Sequence, residues 1–96
     1  MSNTIIKWKD CVGEGWFPIV EEAIIEIESR GGFILQVKEK FGGLRIYSQG
    51  GDYDAISEIV RKAEVKASRI CEDCGEPGVL HNKNGWYKTV CDDHVK

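Results

Sequence analysis

Three of the four cysteines and both histidines of this 96-residue chain lie between positions 71 and 94. They form the pattern Cys71-x2-Cys74-x16-Cys91-x2-His94, in which two closely spaced ligand pairs are separated by a longer segment. A Cys-x2-Cys pair fits a tight turn whose backbone amides point at the sulfurs. Four thiolate or imidazole ligands then complete the tetrahedron that Zn²⁺ prefers in structural sites. We therefore predict that Cys71, Cys74, Cys91 and His94 hold one structural zinc ion.

Other assignments of these residues are weaker. His81 could replace His94, but it has no paired ligand and is expected at the surface or beside the ligands. An iron–sulfur cluster normally uses four cysteines. A disulfide between two of Cys71, Cys74 and Cys91 would leave the third of them unpaired. Cys11 stands 60 residues before Cys71 and is expected to be a partly buried thiol outside the site.

The same residues predict no catalytic group. A catalytic zinc keeps one position open for water, whereas three cysteines and a histidine close the site. The zinc-deaminase signature is absent, as are a phosphate-binding loop and a nucleophile elbow. Only the dipeptide at 81–82 faintly resembles a His-Asn-His nuclease. We therefore expect a protein that is not an enzyme, with zinc as its cofactor and no small-molecule substrate.

The segment between the ligand pairs must bring them together. Asn84-Gly85 is a hairpin turn signal, and it separates the strand-like segments 79–81 and 86–90. A hairpin between two ligand pairs is the layout of a zinc ribbon, which we predict for residues 71–96.

Two helices are predicted before the metal segment. Residues 15–32 combine helical spacing of apolar side chains with Pro18 in the first turn and a Gly-Gly stop. Residues 53–69 return to the helical period, with Asp52 or Asp54 available as the N-cap.

A β-hairpin is predicted between these helices. Residues 33–48 have a two-residue period that places Phe33, Leu35 and Val37 on one face, and the chain turns at 41–43. Two strands alone are marginal in water, so both helices should cover one face of the hairpin.

The predicted fold class is therefore α+β, a helix–β-hairpin–helix followed by a small C-terminal zinc ribbon. Residues 1–70 form the core, with Trp8 and Trp16 helping to close it. Residues 71–96 pack on that core in one compact unit.

Charge and composition constrain the partner. The net charge is −3, with ten Lys/Arg against eleven Asp/Glu in residues 1–70 and three against five in residues 71–96. Nucleic-acid modules usually have the opposite sign. No apolar run approaches the roughly 20 residues of a membrane helix, and the N-terminus lacks the apolar region of a signal peptide. We expect a cytoplasmic protein with no membrane partner.

Four sequence blocks resemble a known family. `GEGWFPIVEEA`, `QVKEKFGGLRIY`, `CEDCGEPG` and `GWYKTVCDDH` occur in this order over most of residues 13–94. In order and spacing they are similar to a family of short, uncharacterised proteins of bacteriophages, prophages and bacteria. The resemblance implies a zinc-ribbon-like C-terminus with Cys71, Cys74, Cys91 and position 94 as ligands. Position 94 is often cysteine in that family, so His94 is a departure. The resemblance implies no mechanism.

These observations favour a small interaction protein that binds a protein partner, and the phage resemblance implies that it modulates a host or host-defence complex in the host cytoplasm. The candidate contact residues are Trp86, Tyr87, Tyr47 and Arg45, although core packing is the commoner role for Trp86. The alternative is nucleic-acid binding by a basic stripe on the hairpin and the second helix. That stripe consists of Lys38, Lys40, Arg45, Arg61, Lys62, Lys66 and Arg69.

Overall fold

A computed structural model describes residues 8–94 of the chain. Its helices and strands are α1 (Phe17–Ser29), β1 (Phe33–Lys40), β2 (Gly43–Gln49), α2 (Tyr53–Ala67), β3 (Val79–Lys83) and β4 (Trp86–Val90). The strands form two antiparallel two-stranded sheets, β1–β2 and β3–β4. The predicted mixture of helices and antiparallel hairpins is confirmed.

Both helices begin where the sequence signals indicate. Pro18 lies in the first turn of α1, where its missing N–H costs no hydrogen bond. This helix is shorter than the predicted segment 15–32, because residues 14–16 form a separate 3₁₀ turn. Helix α2 is capped by Asp52, whose side chain accepts a hydrogen bond from the Ala55 N–H at 3.2 Å. Of the two predicted caps, Asp52 is therefore the one used.

The predicted apolar face of β1 is wrong. Ile34 and Val37 are buried, whereas Phe33 and Leu35 are each 48% exposed. The strand register shifts between Ile34 and Gln36, so Leu35 is the extra residue of a β-bulge. Because a bulge inserts one residue into the two-residue alternation, the buried positions change from even to odd numbers across it.

The core lies between the two helices and one face of the β1–β2 hairpin. Leu44 and Ile46 of β2 are buried there, and Trp16 is fully buried before α1. Trp8 is nearly buried and meets Phe17 edge to face, with ring centroids 5.3 Å apart. The predicted role of both tryptophans in closing this core is confirmed.

The second hairpin contacts the turn of the first. The Thr89 hydroxyl donates to the Gly42 carbonyl at 2.7 Å, and this bond is buried. Gly42 adopts a positive φ of 81°, and a Cβ at this position would lie 2.5 Å from Leu80 Cδ1. The ring of Phe41, beside it in the turn, meets the Tyr87 ring edge to face at 6.2 Å. The two hairpins therefore touch through backbone and aromatic contacts, and the positive φ at position 42 favours glycine there.

Neither helix found within residues 8–94 is both long enough and apolar enough to span a bilayer.

Candidate metal centre

Two short turns present the four predicted ligands; residues 71–75 are here called the first ligand turn and residues 91–94 the second ligand turn. The first follows α2, where the Gly75 N–H donates to the Cys71 carbonyl at 2.9 Å and Gly75 has a φ of 86°. The second follows β4, where the His94 N–H donates to the Cys91 carbonyl at 3.0 Å. Because β3 and β4 pair in register from Val79–Val90 to Lys83–Trp86, they return the second turn to the first.

The four ligand atoms converge on one point. The Cys71 sulfur lies 3.7 Å from His94 Nδ1, and the Cys74 and Cys91 sulfurs are 3.7 Å apart. The Cys91 sulfur is slightly closer to Nδ1, at 3.2 Å. All four atoms lie within 4.8 Å of one another. Zinc bonds of about 2.3 Å to sulfur and about 2.0 Å to nitrogen would place tetrahedral neighbours about 3.5–3.8 Å apart. The donor set and its spacing therefore fit one tetrahedral ion, bound through the Nδ1 atom of the histidine.

The pKa values of the thiols also favour binding of a cation at this cluster. Burial opposes ionisation of Cys71, but the backbone N–H groups of Cys91, Cys74 and Asp73 together outweigh it and lower the pKa of Cys71 to about 7. At Cys74 the Glu76 N–H favours the thiolate, yet a partial loss of hydration and the neighbouring Cys71 and Cys91 thiols raise the pKa to about 11. One thiolate therefore forms readily, and its charge hinders the next. A dication would remove that conflict, because metal binding displaces the thiol protons.

The ligands differ in their exposure. Cys71 is fully buried, Cys91 is half-buried, and Cys74 and His94 are exposed. The candidate centre therefore lies at the protein surface, with one ligand fixed in the interior.

The loop before α1 contacts the first ligand turn at close range. The Gly15 N–H donates to the Glu72 carbonyl at 2.7 Å, and the Gly13 N–H donates to Glu72 Oε2 at 3.0 Å. A Cβ at Gly15 would lie 2.0 Å from the Cys71 carbonyl oxygen and 2.5 Å from the Gly75 nitrogen. Only glycine permits this approach.

Trp16 makes a further bond to the same region, since its Nε1–H donates to the Ile70 carbonyl at 2.9 Å. Sequence reasoning missed these contacts. The signal that could have revealed them is the pair of glycines directly before a buried tryptophan in `GEGW`.

Cys11 and His81 lie outside the ligand cluster. Cys11 is exposed, not partly buried, because it continues the exposed stretch Lys9–Asp10 that follows buried Trp8. His81 lies mid-strand opposite Lys88 and is not in the ligand cluster. Its Nε2 atom is buried and, within residues 8–94, has no hydrogen-bond partner.

The candidate contact residues lie on different surfaces. Tyr47 and Arg45 share the outer face of β1–β2, opposite buried Ile46, and Tyr87 adjoins the turn of that hairpin through Phe41. Trp86 is 73% exposed, so core packing is wrong for it. Trp86 lies next to the Asn84-Gly85 turn, on the opposite side of β4 from Tyr87. The side of Tyr87 is the one that meets the β1–β2 turn through Phe41, so Trp86 faces away from that contact.

No family model, curated protein or solved structure matches this chain. The resemblance to the phage and bacterial proteins stays a prediction.

Proposed function

We propose that this chain is a small non-enzymatic interaction protein whose C-terminal residues form a zinc ribbon around one structural Zn²⁺. The observation that supports it most is the convergence of Cys71, Cys74, Cys91 and His94 within 4.8 Å. Three thiolates and one imidazole are the donor set of a structural zinc site, and zinc bound there would tie the two ligand turns together.

The packing of the second hairpin supports a structural role for the metal. Within the described part of residues 71–96, only Cys71, Glu72, Thr89 and Val90 are buried. A two-stranded hairpin with so little apolar burial is marginal in water. A structural zinc site supplies about 10–16 kcal/mol of apparent binding free energy, comparable with the whole net stability of a domain, about 5–15 kcal/mol.

The closed ligand set also supports the proposal that the protein is not an enzyme. A catalytic zinc needs a position for water or substrate, and here both turns supply two ligands each. The activity we propose is therefore binding, with a protein partner as predicted from the sequence. Modulation of a host or host-defence complex rests on the phage resemblance alone.

The metal is tested by measuring zinc per chain in the purified full-length protein and by replacing zinc with Co²⁺. We expect one ion per chain and the absorption of tetrahedral cobalt with thiolate-to-metal charge transfer. A Cys74→Ser variant should lose the ion. Octahedral cobalt spectra, or unchanged zinc in that variant, would contradict the assigned ligands.

The partner is tested by affinity capture from bacterial lysate, divided into nuclease-treated and untreated halves. A stoichiometric protein that survives nuclease would support a protein partner. Loss of all captured material after nuclease would favour nucleic acid.

Two ion pairs on α2 weaken the case for nucleic-acid binding by the helical part of the basic stripe. On α2, Arg61 is paired with Glu58, and Lys66 lies 3.5 Å from Glu22 of α1. These ion pairs reduce the positive potential of the helical part of the basic stripe. Within residues 8–94, no carboxylate lies within ion-pair distance of Lys38, Lys40 or Arg45 of the first hairpin.

A further inference from the structure

We propose that the outer face of the β1–β2 hairpin binds single-stranded nucleic acid. This surface, here called the outer face, faces away from the two helices. Strand alternation and the register assign it eight positions, which are Phe33, Gln36, Lys38, Lys40, Gly43, Arg45, Tyr47 and Gln49. None of them is acidic, although the chain has 16 acidic residues and only 13 Lys and Arg. The proposal develops the alternative that the protein binds nucleic acid. It rests on the proposed function only in that zinc would hold the β3–β4 hairpin against the β1–β2 hairpin.

The positive charges of the outer face are not compensated. Lys38 and Arg45 are direct cross-strand partners. Like charges at such positions are destabilising. Among residues 8–94, the ion pairs involve other lysines and arginines, so Lys38, Lys40 and Arg45 have no carboxylate within pairing distance. Ion pairing among the described residues therefore does not stabilise this arrangement, whereas an anion would be attracted by all three cations.

Aromatic rings accompany these cations. Phe33 is 48% exposed, Tyr47 is 43% exposed, and Phe41 in the adjoining turn is 66% exposed. The Lys38 ammonium lies 5.6 Å from the Tyr47 ring centroid, and that of Lys40 lies 5.7 Å from the centroid of Phe41. At exposed sites such cation–π contacts are weak, so an incoming base can displace the lysine from the ring.

This combination fits a single strand better than the other anions. Proteins bind single strands by stacking bases on aromatic rings while basic side chains follow the phosphates. An acidic peptide would use the cations but has no flat groups that must stack. In a duplex the base faces are hidden, so the aromatic rings would contribute little. The rings and the cations together therefore indicate single-stranded nucleic acid as the ligand.

The second hairpin helps to fix the end of this face. The Phe41 ring meets the Tyr87 ring at 89° with centroids 6.2 Å apart, and the Gly42 carbonyl accepts the bond from Thr89. These contacts hold the turn in place while the Phe41 side chain stays 66% exposed and accessible to a base.

The test is fluorescence anisotropy of the zinc-loaded full chain with a labelled oligothymidylate of about 12 nucleotides, within the site sizes of such proteins. We expect saturable binding near 50 mM salt. With three phosphate contacts the logarithmic salt slope should be about −2, so that the affinity falls by roughly 20-fold at 200 mM.

Variants with matched controls separate this face from the rest of the surface. Tyr47→Ala should weaken binding by about 5- to 150-fold, the range for loss of one stacked base. Trp86→Ala removes a more exposed aromatic ring of the second hairpin and should change little. Lys40→Glu should abolish binding, whereas Lys83→Glu, an equal charge change at the exposed end of β3, should retain most of it. Zinc content and circular dichroism verify that each variant is folded and metal-loaded.

Three results would overturn the proposal. The first is no saturable binding at low salt by the zinc-loaded protein. The second is an equal loss of oligonucleotide binding in the variants of the outer face and in their controls, which would indicate non-specific attraction. The third is displacement of the oligonucleotide by polyglutamate or by duplex DNA as readily as by unlabelled oligothymidylate. In each case zinc content is measured separately, so the zinc ribbon can hold while this inference fails.

Discussion

Replacing Gly15 by alanine should loosen the contact between the loop before α1 and the first ligand turn. The added Cβ would lie 2.0 Å from the Cys71 carbonyl oxygen and 2.8 Å from the carbonyl carbon of Glu72. These neighbours are backbone atoms, so the strain cannot be relieved by rotating a side chain. Either the loop or the ligand turn must move away.

The expected cost follows from two terms. Overpacking of a tight contact costs about 1–3 kcal/mol. The 2.7 Å bond from the Gly15 N–H to the Glu72 carbonyl would be weakened or lost, at about 1 kcal/mol. A total near 3 kcal/mol lowers the melting temperature of a domain of this size by roughly 12–24 °C. If the contact and metal binding are coupled, the same free energy lowers the zinc affinity by about 150-fold.

The assay is thermal unfolding followed by tryptophan fluorescence, with zinc affinity measured by chelator competition. Gly43→Ala is the matched control, because its new Cβ would lie 3.5 Å from the Lys40 carbonyl oxygen, an ordinary contact distance. If Gly15→Ala melts at the same temperature as this control and binds zinc equally well, the close approach is not as the structure places it.

Four further predictions concern single contacts or the candidate metal site. Trp16→Phe removes the 2.9 Å bond to the Ile70 carbonyl and should cost about 1–3 kcal/mol in urea unfolding, and an unchanged midpoint would show that water replaces the bond. Asp52→Ala removes the N-cap of α2 and should cost about 1 kcal/mol, whereas Asp52→Asn should recover most of it. Cys91→Ser should abolish stoichiometric zinc and make the chain sensitive to protease after α2, so a zinc-loaded, resistant variant would argue against this ligand. Lowering the pH should release zinc from the native protein, because protons compete for thiols such as Cys71, whose pKa is about 7. Zinc retention that does not change with pH would contradict thiolate ligation.

Local signals in the sequence were sufficient for the main elements. The Asn84-Gly85 turn, the Asp52 cap and Pro18 act through neighbouring backbone atoms, so each could be recognised without tertiary information. The ligand cluster was also predictable, because two short Cys/His pairs flanking a hairpin turn have few other ways to satisfy their chemistry. The structure places all four ligands together as expected.

Other features depended on packing between distant segments. The bulge at Leu35 could not be recognised, because the apolar pattern of β1 is compatible with either face until the helices select one. The exposure of Trp86 and Cys11 likewise reflects which surfaces the core has room to cover.

The helices, the hairpins and the candidate metal-binding cluster could be predicted from the sequence, since these follow from backbone preferences and ligand chemistry over short distances. The packing of the folded chain determines that Gly15 approaches Cys71 and that the strand alternation shifts at Leu35, which places the cations and exposed rings of the first hairpin on one face. Contacts between residues more than 50 positions apart depend on how the elements pack. Short-range patterns contain no information about that packing.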